Sequence, residues 1–188
     1  MFEIPQPSMA LNSHNVPPPD FRMWNTRKVT SDVPPSDLMS NIASVADSAK
    51  DNYLRCVVFN SHGSAGYLAI GTGIQKHDAH VFSALTGKVR TIVITACDVG
   101  AIVSPWEDGN LFCCAIAKSA ATYVFASTAL QVPGGFYTRF GLPVNMIDEF
   151  EGDVFRWSPD GSCRQVDNGY VQRWMQHMKM GLTPQDWK

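Results

Sequence analysis

Val89–Thr95 reads VRTIVIT and runs directly into Ala96-Cys97-Asp98. Ile92, Val93 and Ile94 form an unbroken apolar run, the pattern of a strand covered on both faces. An upstream run of the same kind, LRCVVFN at Leu54–Asn60, ends in Ser61-His62-Gly63-Ser64. A third, TYVFAST at Thr122–Thr128, follows downstream. Between the first two, Asp78 is placed to cap a helix carrying Val81, Phe82 and Leu85, with Gly87 to end it. Between the second and third, Asp108 or Asn110 opens a helix through Leu111, Phe112, Ala115 and Ile116. Strands alternating with helices predict right-handed crossovers. The expected fold class is α/β, a three-layer αβα sandwich with a mainly parallel central sheet.

Working outward, Leu38, Ile42, Val45, Ala46 and Ala49 recur at helical spacing behind Ser36, a good N-cap, and predict a helix to about Lys50. Tyr67–Gly71 predicts a short strand. Residues 1–35 carry Pro5, Pro7, Pro17–Pro19, Pro34 and Pro35 and are expected to be irregular, with Phe21–Val29 able to supply an edge strand. Residues 36–188 are then expected to form a single domain. Past the long segment Gln131–Phe150, Asp153–Trp157 and Ser162–Val166 flank Ser158-Pro159-Asp160-Gly161, which predicts a β-hairpin. Val171, Trp174, Met175 and Met178 predict a last amphipathic helix from about Gly169 to Met180.

The chain has 188 residues, is 45% hydrophobic and carries a formal charge of −2. A domain of this size buries roughly 70% of the surface its unfolded chain exposes, so it needs no metal or disulfide staple. No Lys/Arg run is present to follow a phosphate backbone, and nucleic acid is not an expected partner. The amino terminus lacks the charged and apolar regions of a secretory signal, and no stretch approaches the roughly 20 apolar residues of a membrane span. A cytoplasmic protein, or one exported without a cleavable signal peptide, is expected. Cys56, Cys97, Cys113, Cys114 and Cys163 form neither a CxxC pair nor a disulfide framework, so a reducing compartment is the simplest reading. His77 and His80 have no third ligand nearby, and neither metal nor cofactor is expected. The glycines of GSAGYLAIGTG do not follow the strand, G-x-G-x-x-G, helix order of a dinucleotide site.

In open parallel sheets, chemistry gathers at the carboxyl ends of the strands. His62-Gly63 and Cys97 each follow such an end. Together they supply the minimum for acyl transfer: an imidazole that takes the thiol proton and a sulfur that attacks a carbonyl carbon. Backbone N–H groups of Gly63 and Cys97 are the expected oxyanion donors, with glycine allowing close approach. Alone, His62 reads as a loop histidine and Cys97 as a core thiol. Their matched placement is what favours chemistry. His14, His77, His80 and His177 have no comparable context.

A hydrophobic strand followed by His-Gly, then a hydrophobic strand followed by Ala-Cys, resembles the caspase-like clan of cysteine peptidases. Here the pattern is VVFNSHG at 57–63 and IVITAC at 92–97, with His62 and Cys97 35 residues apart. It spans roughly residues 36–130 and is closest in character to bacterial members such as the self-cleaving peptidase domains of toxins. The resemblance implies a caspase-like fold and a cysteine endopeptidase, with His62 as general base and Cys97 as nucleophile. It further implies that Val124–Thr128 helps shape the pocket beside the scissile bond, making Ser127 and Thr128 candidate substrate contacts. The implied substrate is a peptide or protein, the chain itself included. Asp98 and Asp108 near the expected cleft are candidates for selecting a basic residue, against the plainer reading of solvated or capping carboxylates. Phe136, Tyr137 and Phe140 either line a groove or fold over the core. Two other functions fit the same residues: an inactive caspase-like interaction module, or another Cys-His acyltransferase or amidase.

Overall fold

The computed structural model describes residues 1–131 and 142–182. From the amino terminus the elements are β1 (Phe2–Glu3), β2 (Ser8–Ser13), β3 (Asn25–Val29), α1 (Pro35–Ser48) and β4 (Cys56–Asn60). Next come β5 (His62–Ser64), β6 (Tyr67–Ala69), β7 (Ile74–Gln75), a 3₁₀ helix (Lys76–Leu85) and β8 (Thr91–Thr95). Last are α2 (Gly109–Ala120), β9 (Tyr123–Ser127), β10 (Met146–Ile147), β11 (Val154–Trp157), β12 (Cys163–Val166) and α3 (Asn168–Lys179).

The three apolar runs are adjacent strands. The main sheet has the order β12-β11-β9-β8-β4-β2-β3. From β3 to β9 every pairing is parallel. The β11–β12 hairpin adds two antiparallel pairings at one side, so the sheet is mixed. Alternation along each strand divides the core in two. Val57 and Phe59, Ile92 and Ile94, and Val124 and Ala126 pack with α1, the 3₁₀ helix and α2. Cys56 and Val58, Val93 and Phe125 face the other way, against α3 and β1. There Trp174 meets Tyr123 and Phe125 edge-on at 4.7 and 5.4 Å, and its indole N–H donates to Thr91 Oγ1 at 3.1 Å.

The helices form close to expectation, with different caps. Pro34, not Ser36, is the N-cap of α1: Pro35 at the first helical position has no N–H to satisfy and a φ already suited to the helix. The segment after β7 winds as 3₁₀, and Asp78 sits in its first turn, accepting from Gln75 N at 2.9 Å. Asp108 does cap α2, accepting from Leu111 N at 2.8 Å.

Residues 1–35 are not irregular throughout: they supply β1, β2 and β3. β2 is buried along its whole length between β3 and β4, and β3 forms the edge, where exposed Arg27 and Lys28 discourage further pairing. The sequence SMALNS conceals β2 because half of its buried side chains are polar and find distant partners. Ser8 Oγ accepts from Cys56 N, and Ser13 Oγ donates to Ala69 O. Asn12 accepts from Phe21 N at 2.9 Å, donates to Phe21 O at 3.0 Å, and accepts from Asn60 Nδ2 at 2.8 Å. Both asparagines have no exposed surface.

Replacing Asn12 with alanine strands the Phe21 N–H and C=O and the Asn60 amide, each costing about 1–3 kcal/mol when buried and unpaired. Asn12→Ala is expected to lower the unfolding free energy by about 3 kcal/mol or more in urea titrations. A loss below about 1 kcal/mol would show that this network is dispensable.

Candidate functional site

β4 and β8 are hydrogen-bonded neighbours in register, with Asn60 opposite Thr95. His62 and Cys97 each stand two residues beyond that pair, so the chain brings both to the same carboxyl-end edge of the sheet. His62 opens β5, the first strand of a small antiparallel sheet with β6 and β7. Gly63 lies directly on the Cys97 turn. A Cβ at Gly63 would stand 2.6 Å from Val99 Cγ2 and 3.0 Å from both Ala96 Cβ and Cys97 O. Only a residue without a side chain allows this contact.

The His62 ring is exposed, and its Nε2 lies 3.1 Å from the Asn15 carbonyl. A carbonyl only accepts, so Nε2 carries the proton and Nδ1 of the neutral ring is the basic nitrogen. Asn15 thus orients the imidazole. Sequence reading missed it, because a backbone carbonyl leaves no residue-type signal and its position follows from the unforeseen β2. Cys97 is half-buried. Its sulfur accepts from Gln131 N at 3.3 Å and lies 3.6 Å from Gln131 O. Among the described residues the His62 ring and the Cys97 thiol share no hydrogen bond, and the Cys97 N–H has no acceptor.

Asp98 adopts φ 54°, a left-handed conformation uncommon outside glycine, while its N–H donates to Ala129 O at 3.0 Å. This sharp turn redirects the chain immediately after Cys97. Strained backbone of this kind concentrates at functional sites. Ser127 is buried, its hydroxyl donating to Glu151 O and accepting from Ala129 N, so its one proton is committed within the protein. Thr128 is half-buried, its hydroxyl 3.4 Å from Asp153 O. Asp108 caps α2 through Oδ1 and is half-buried. Phe136, Tyr137 and Phe140 lie outside the described residues.

The other thiols contrast with Cys97. Complete burial pushes the Cys56 and Cys113 thiols far up. Partial burial, with Cys114 nearby, raises Cys163 in spite of the opposing charge of Arg156. Among the described residues no cluster of three or more His, Cys, Asp or Glu side chains is arranged to hold a metal, and no helix is long and apolar enough to cross a membrane. No protein-family model matches the chain, and no curated protein matches it significantly.

Two outcomes follow from this packing. Gly63→Ala must displace Val99, which is stiff at χ1 and fully buried, or the Ala96–Cys97 backbone. A loss of about 1–3 kcal/mol is expected, read by thermal and urea unfolding. In residue-resolved alkylation of the folded protein at pH 7, Cys56 and Cys113 should stay unmodified, since burial removes both access and thiolate. Rapid labelling of either would contradict the described core.

Proposed function

We propose that this protein is a cysteine endopeptidase of caspase-like character, with His62 as general base and Cys97 as nucleophile. The observation that carries the reading is the register-matched exit of His62-Gly63 and Cys97 from adjacent parallel strands, with the Gly63 backbone against the Cys97 turn. The ring held through Nε2 by Asn15 leaves Nδ1 to accept a proton, and a base oriented by a third group is the usual arrangement for an activated thiol.

In the proposed reaction the imidazole takes the Cys97 proton, and the sulfur electron pair forms a bond to the carbonyl carbon of the scissile peptide. The carbonyl π pair moves to oxygen, where the N–H groups of Cys97 and Gly63 are the candidate donors. Collapse of this intermediate breaks the C–N bond, and the departing amine takes the proton from the imidazolium. Water then loses a proton to the imidazole and adds to the thioester. Collapse expels the sulfur, which regains the proton, and frees the new carboxyl terminus. Bringing the two side chains together requires Cys97 to exchange its Gln131 contacts for the imidazole, a tightening on substrate binding common in unliganded sites.

Those same Gln131 contacts favour one second reading, an inactive interaction module on the same scaffold, in which the sulfur stays covered. Intact-mass labelling with a peptide-like electrophile separates the two. The peptidase reading expects one adduct on the wild-type chain and none on Cys97→Ala, the module none on either. On a peptide or self-cleavage substrate, Cys97→Ala should abolish turnover. His62→Ala should reduce it about 10²–10⁴-fold, with unfolding midpoints little changed. Full turnover by Cys97→Ala would end the peptidase reading.

A further inference from the structure

The opposite edge of the sheet is built differently. There the segments leading into β4, β8 and β9 meet the last turn of α3 around a cavity of about 450 Å³, lined by residues that include Tyr53, Arg55, Arg90, Thr122, Tyr123 and Met178. Its size falls within the range of about 300–1,000 Å³ typical of small-molecule sites. A five-residue strand spans about 17 Å, which separates this cavity from the Cys97 edge.

Two guanidinium groups converge on the Tyr53 ring, Arg90 with Cζ 4.7 Å and Arg55 with Cζ 5.8 Å from its centroid. Among the described residues neither is paired with a carboxylate. Arg55 is partly satisfied, donating through Nε to Gln6 O at 2.8 Å and through Nη1 to Met178 O at the end of α3. The Arg90 guanidinium has no hydrogen-bond acceptor among the described residues, and its residue is exposed. Like charges on one ring, with donors left over beside them, are stabilised by an anion.

The donor set narrows the class of that anion. A guanidinium presents two parallel N–H groups matched to the two oxygens of a carboxylate. The rest of the lining is aromatic or apolar: Tyr53, Tyr123 and Met178 offer contact to a flat, compact body. One open Arg90 fork and one remaining Arg55 nitrogen suit a monoanion better than a polyphosphate, which calls for a denser cluster of cations. We propose that this cavity binds a small carboxylate with an aromatic or compact apolar body, its carboxylate held by Arg90.

The test titrates the full chain with benzoate, benzamide and inorganic phosphate, followed by amide chemical shifts. Benzoate should give saturable shifts at residues 53–55, 89–90 and 122–123. Arg90→Gln, a change at an exposed side chain, should weaken benzoate at least about tenfold, the value of one charged hydrogen bond. Benzamide, isosteric and neutral, should bind the native chain at least about tenfold more weakly than benzoate. Cys97→Ala should leave benzoate affinity unchanged, which keeps this site independent of the proposed peptidase. Absence of saturable shifts at millimolar benzoate, equal binding of benzamide, or retained affinity in Arg90→Gln would each overturn the proposal. Tighter binding of phosphate than of benzoate would overturn the carboxylate assignment.

Discussion

Asn12 and Asn60 sit on neighbouring parallel strands with no exposure to water; Asn12 bonds both backbone groups of Phe21 and accepts from the Asn60 amide, whose own oxygen has no partner among the described residues. In a low-dielectric interior such groups are costly when unpaired, so the register of β2 against β4 that sets Asn12 beside Asn60 and Phe21 is favoured over a slipped one, which would strand three more groups. That register determines where the chain leaves both strands. Asn15 comes three residues after one asparagine and His62 two residues after the other, and the imidazole meets the Asn15 carbonyl. A polar pair in the core thus governs the orientation of the side chain best suited to proton transfer.

The same sheet explains why two different chemical environments occupy its two ends. Parallel β4, β8 and β9 direct all their carboxyl ends to one edge and all their amino ends to the other. At the first edge the chain turns sharply, with Asp98 left-handed and the Gly63 backbone pressed on Ala96 and Cys97. At the second, the strands begin beside arginines and tyrosines and beneath the end of α3. The apolar body of the sheet lies between them, buried on both faces.

Burial also sorts the cysteines, which composition alone leaves alike. Cys56 on β4 and Cys113 on α2 have no exposed surface, one on each side of the sheet, and act as small apolar side chains. Cys97 lies beyond a strand end, half-exposed and in contact with the backbone of Gln131. The difference arises from position: Cys56 in a central strand and Cys113 on the inner face of α2 are covered, Cys114 on α2 is half-buried, Cys163 on the edge strand β12 is exposed, and Cys97, past the last ladder pair, reaches the carboxyl-end edge.

Much of this was legible in the residues. Unbroken apolar runs identified β4, β8 and β9, because a strand covered on both faces has no polar positions to interrupt it. Asp108 announced the start of α2, and Ser158-Pro159-Asp160-Gly161 the β11–β12 turn, because capping and turn geometry depend on side chains close in sequence. The placement of His62-Gly63 and Cys97 at strand ends was equally readable. β2 was not, since Ser8, Asn12 and Ser13 look solvent-facing until Cys56, Phe21, Asn60 and Ala69 are brought beside them. Nor were the Asn15 and Gln131 contacts, made by main-chain atoms that every residue type shares. By itself the sequence determined the elements whose stabilisation is local or purely apolar. Only the tertiary structure decided which polar groups are buried and which backbone atoms meet the reactive side chains, because those contacts join segments far apart in the chain.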